Sequence, residues 1–72
     1  MTNIEKIEQI AFPIINKEFK ERTPKGADSR ILRIISSDMA SIAEGVNMAL
    51  ENNPNLDVEK FTRKELAIYF KG

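Results

Sequence analysis

The chain has no cysteine, no histidine and no tryptophan, and only three glycines and three prolines in 72 residues. Without cysteine there is no disulfide, no thiolate metal ligand and no cysteine nucleophile. Without histidine the commonest zinc ligand and the commonest general base near neutral pH are both missing. Ser36, Ser37 and Ser41 then have no imidazole to activate them, and the carboxylates Glu44, Glu51, Asp57, Glu59 and Glu65 fall on polar helix faces at no metal-binding spacing. No catalytic residue, cofactor or metal ligand is expected, and the chain does not read as an enzyme.

Two further absences narrow the class. Eleven basic residues balance eleven acidic ones, which argues against a wholly basic nucleic-acid coat protein and against an acidic mimic of DNA. No apolar run approaches the roughly 18 residues of a membrane span, and the first residues lack a signal-peptide pattern. A cytoplasmic protein with no membrane partner is the expectation. Isoleucine, asparagine and lysine are abundant, as in proteins of AT-rich bacterial and phage genomes.

So short a chain forms one domain, 1–72, with one thin core, because about 60% of the unfolded surface is buried at this size. Disulfides are excluded as staples and a structural zinc very nearly so, which leaves association with another chain as the leading supplement.

What is present is helical. Thr2 and Glu5 fit a capping box. Ile4, Ile7, Ala11, Ile14 and Ile15 come after it at helical spacing, with Ile10, Phe12 and Phe19 widening the stripe. The pattern predicts a first helix over about 3–21. Pro13 sits inside it on the polar side, so a kink is expected, or two short helices meeting near Ala11. Arg22 to Ala27, with Pro24 and Gly26, is the clearest turn, and Asp28 is a good N-cap for a second helix.

Leu32, Ile35, Met39, Ile42, Val46 and Ala49 recur at spacings of three and four over close to three heptads, flanked by Ile31, Ala43 and Leu50. That predicts one long helix over about 28–52, ended by Asn53 and Pro54. A short C-terminal helix over about 58–71 carries two overlapping start signals, Asp57 as cap or Thr62 with Glu65 as a capping box. The expected fold is all-α, a small three-helix domain with a long central helix and the short third helix closing one end.

The seam has two readings: it packs on the two other helices, or part of it pairs with another chain because two short neighbours do not cover it. The small residues Ala40, Ser41, Ala43 and Gly45 permit close helix approach, and Gly45, unfavourable mid-helix by about 1 kcal/mol, suggests a packing reason. The candidate interface is Leu32, Ile35, Met39, Ile42, Val46 and Ala49 with the aromatic end Phe61, Tyr69 and Phe70. The segment from Lys17 to Arg33 holds six basic residues (Lys17, Lys20, Arg22, Lys25, Arg30, Arg33) against Glu18, Glu21 and Asp28, a candidate nucleic-acid surface.

Thr62-Arg63-Lys64-Glu65-Leu66-Ala67 resembles the opening helix of bacterial helix-turn-helix domains, in which a threonine cap precedes a buried Leu-Ala pair. The likeness covers about ten residues. Lys71 stands where that family commonly has its turn glycine, Gly72 comes one later, and no recognition helix succeeds it in this sequence.

The expected function is non-catalytic protein binding, by a small regulatory, accessory or inhibitor protein of phage or bacterial type that acts as a homodimer or on a protein partner. A small dimeric DNA-binding regulator using 17–33 is the alternative.

Overall fold

The computed structural model describes residues 1–71, and Gly72, the displaced turn glycine of the helix-turn-helix comparison, lies outside them. Helix α1 covers 3–22 as Asn3–Lys6, a wide π-helical turn Ile7–Ala11 and Phe12–Arg22. Helix α2 is Ser29–Asn52 and helix α3 is Val58–Lys71. The described residues contain no strand.

The capping box forms as its sequence predicts, with Glu5 N–H donating to Thr2 Oγ1 at 3.1 Å and Thr2 N–H to Glu5 Oε1 at 3.3 Å. That bond from the Thr2 amide holds the Glu5 carboxyl below its ordinary pKa. Proline at 13 cannot donate to the Gln9 carbonyl, and its ring crowds that carbonyl. The chain answers without breaking: the turn before it widens, and Phe12 N–H donates to Ile7 O five residues back. The backbone stays right-handed helical through Ile7, Ala11 and Phe12.

The wide turn also serves the core. The buried residues of α1 are Ile7, Ala11, Ile15 and Phe19, a four-residue repeat that drifts about 40° per step around a regular helix. A turn holding more residues advances less per step, so it takes out part of that drift and keeps Ile7 in line with Ile15.

Between α1 and α2, Ala27 N–H donates to Pro24 O at 3.2 Å and Gly26 has φ +81, the positive angle that the third residue of a type II turn requires. Asp28 accepts from Ile31 N–H at 3.0 Å and caps α2. At the far end, Asn53 N–H donates to Ala49 O at 2.9 Å and Leu56 N–H to Asn53 O at 3.0 Å. Lys6 Nζ donates to Pro54 O at 3.0 Å, which ties the start of α1 to the end of α2 and makes the pair antiparallel.

Helix α3 returns along both. Asp57 caps it through Lys60 N–H at 3.1 Å, so it is one helix from Val58, and Thr62 is an interior residue rather than a cap. The buried Leu-Ala pair implied by the helix-turn-helix resemblance is only half present, since Leu66 is buried and Ala67 exposed. The aromatic rings of Phe19 and Phe70 lie 5.0 Å apart and the Tyr69 hydroxyl donates to Asp38. The third helix therefore lies alongside α1 and α2, where the sequence pattern alone has it closing one end.

The core gathers at one end of the molecule. Ala43, Val46 and Leu50 are the buried residues of α2, against Ile7, Ala11, Ile15 and Phe19 of α1 and Val58, Thr62 and Leu66 of α3. All three from α2 come from its second half. Thr62 is fully buried and its Oγ1 has no hydrogen-bond partner.

Candidate functional site

The length of α2 leaves its first third uncovered by α3. Its 24 residues run about 36 Å at 1.5 Å per residue, while the 14 residues of α3 run about 21 Å. Since α3 starts beside the end of α2 and reaches only to Asp38 through Tyr69, residues 29–37 extend beyond it. Apolar side chains continue there. Ile31, Leu32 and Ile34 are 40%, 48% and 56% exposed, and Ile35 and Met39 are half-buried.

On one side this stretch faces the end of α1. Asn16, Phe19, Lys20 and Thr23 of α1 with Leu32, Ile35, Ser36 and Met39 of α2 enclose an open groove of about 490 Å³. Phe19, Leu32, Ile35 and Met39 give it apolar walls, and Lys20 supplies one cation. Thr23 Oγ1 donates to Phe19 O at 2.6 Å, which finishes α1 and fixes the rim.

The nine proposed interface residues are divided by this arrangement. Val46 is fully buried and Ala49 half-buried within the chain, so neither offers a partner much surface. Ile42, Met39 and Ile35 are half-buried, and Leu32 opens onto the groove. Phe61 is half-buried against the core. Phe70 and Tyr69 join Phe19 in a cluster with ring centroids 5.0 to 5.4 Å apart. Tyr69 remains 41% exposed. Its hydrogen bond to the Asp38 carboxylate raises the phenol pKa above the ordinary value, because ionisation would set two anions side by side.

The six basic candidates are exposed but do not share one surface. The Arg22 guanidinium pairs with Glu18 and lies over the Phe70 ring at 4.2 Å. Lys17 borders a hollow with Pro13, Ile14, Glu18 and Arg63, whereas Lys20 faces the groove on the α2 side. Lys25 is in the turn, and Arg30 and Arg33 lie on α2 turned away from the core seam.

Sequence reasoning passed over two contributors. Ile34 is about 100° off the seam and drops out of a heptad reading. Phe19 was one member of an α1 stripe, and nothing local places it opposite Leu32. Nothing lies within 4 Å of where a Cβ on Gly45 would be, so no close approach inside the chain requires the glycine.

These elements define a class, a three-helix all-α domain whose long helix outruns its partners. No family model, no curated protein and no solved structure matches the chain. Among the described residues no helix is long and apolar enough to cross a membrane, and no cluster of three or more acidic side chains is placed to hold a metal ion.

Proposed function

We propose that this protein is a non-catalytic binding module, a small regulatory or accessory protein that docks the groove between the end of α1 and the start of α2 onto a helix of a larger protein. The observation that carries this reading is the apolar lining of that groove, Phe19, Leu32, Ile35 and Met39, with Leu32 48% exposed on a helix whose seam continues into the core. Contiguous apolar surface of this kind on a small domain marks an interaction site.

The groove suits an amphipathic helix. Its walls come from two antiparallel helices, so a third helix can lay apolar residues at i, i+3, i+4 and i+7 between them. Lys20, the one cation lining the groove, favours an acidic residue on the rim of that helix. Inhibition or recruitment of the larger protein would result from occupying that helix.

Leu32→Glu tests the reading. The residue is half exposed, so the fold and its thermal transition should be kept, while the partner retained by the immobilised wild-type protein from its own cells should be lost. Equal retention by the variant would remove the groove from consideration.

A further inference from the structure

A second stripe runs along the outside of α2. Ile34 and Met48 are 56% and 57% exposed. They are two heptads apart, so at a slip of about 20° per heptad they return to nearly one line. Ser41 lies midway between them, with Ser37 and Gly45 to either side, and all five are exposed. The Ser41 hydroxyl is turned back onto its own helix, donating to Ser37 O at 3.1 Å. Leu32 lies about 160° away from Ile34 around the helix, so this stripe and the groove are different surfaces.

The charges of α2 are polarised along its length. Arg30 and Arg33 stand in its first part and Glu44 and Glu51 in its second, all exposed, with Asp38, half-buried and accepting from Tyr69, near the middle. Two such helices side by side in parallel would set arginine against arginine and glutamate against glutamate. In the antiparallel sense each basic end meets an acidic end, and the helix dipoles also oppose.

We propose that a second copy of this chain packs antiparallel on the outer stripe of α2, with the two-fold axis at Ser41. In that register Ile34 meets Met48 of the partner subunit, Ser37 meets Gly45 of the partner subunit, and Arg30 comes beside Glu51 of the partner subunit. The pattern is self-complementary, as an isologous interface requires. Residues 30–52 give a contact about 33 Å long. The small side chains at its centre allow the axes to approach toward about 8 Å. A mid-helix glycine with nothing near it in its own chain then has its neighbour in the other copy.

Sedimentation equilibrium from about 1 μM to about 1 mM tests this. The expected mass rises with concentration from 8.2 kDa to twice that value. Ile34→Glu should raise the dissociation constant at least about tenfold with an unchanged helical spectrum. Gly45→Gln, a better helix former in open space, should fold at least as well and also weaken the dimer. Leu32→Glu should leave it intact, which separates this proposal from the groove reading. Arg30→Glu should weaken association and the added Glu51→Arg should restore it. A single-chain mass over the whole range would overturn the proposal. So would a dimer that resists Ile34→Glu and Gly45→Gln, one that Leu32→Glu disrupts as strongly, or a double charge reversal that restores nothing.

Discussion

Thr62 and Tyr69 show how single side chains depart from what their neighbours in sequence imply. Thr62 reads as a helix cap because Glu65 stands at the right distance, yet Asp57 starts the helix a turn earlier and carries Thr62 into the core. Its hydroxyl has no partner there, and a buried unpaired hydroxyl is unfavourable by about 1–3 kcal/mol. Thr62→Val keeps the shape and removes the hydroxyl, so chemical denaturation should show a gain of about 1 kcal/mol. No gain would mean that the hydroxyl is satisfied. Tyr69 is the sole tyrosine in a chain without tryptophan, so its ionisation can be followed by phenolate absorbance alone. With the folded pKa raised by Asp38, the stability this bond contributes is complete below the ordinary phenol value of about 10 and is lost as pH rises through the folded value. Asp38→Asn should move the absorbance midpoint down toward the ordinary value, and an unmoved midpoint would show that Asp38 does not hold the phenol.

The two described glycines should respond oppositely, because they sit in different elements. Gly26 has φ +81 in the turn before α2, where a side chain is strained, and Gly26→Ala should destabilise by about 1 kcal/mol. Gly45 lies mid-helix with open space around it. Gly45→Ala, measured at concentrations low enough for single chains, should stabilise by about 1 kcal/mol. Like signs for the two would contradict these placements.

Legibility in the sequence divides in the same way between local and distant causes. The Thr2–Glu5 box, the Asp28 cap, the 22–27 turn and the long helix are written in neighbouring residues and can be read directly. Pro13 announces a disturbance but not its form, since a wide π-helical turn is decided by how Ile7, Ala11 and Ile15 must line up on the other helices. The course of α3 depends on Phe19–Phe70 and Asp38–Tyr69 contacts across tens of residues, and no local pattern encodes those. The heptad seam is visible along its whole length, but which part of it is covered depends on where α3 ends.

For the whole molecule, the difference in helix lengths is the governing fact. The longest dimension, 39 Å, is close to the length of α2 itself, while the buried residues of α2 all lie in its second half. One end of the domain is therefore packed and the other carries apolar groups over an open groove. A core confined to one end is a thin source of stability for a chain of this size, so occupancy of the groove by a partner helix, or of the outer stripe along α2 by a second copy, would be thermodynamically linked to folding. If the start of α2 is a docking surface, a photo-crosslinking residue placed at Leu32 should capture what docks there in the cells the protein comes from, with Asn55 in the loop at the opposite end of α2 as the control. Adducts to one larger protein at position 32 and none at 55 are the expected result. Position 32 free of protein adducts while the domain is folded, or the same adducts at both positions, would contradict it.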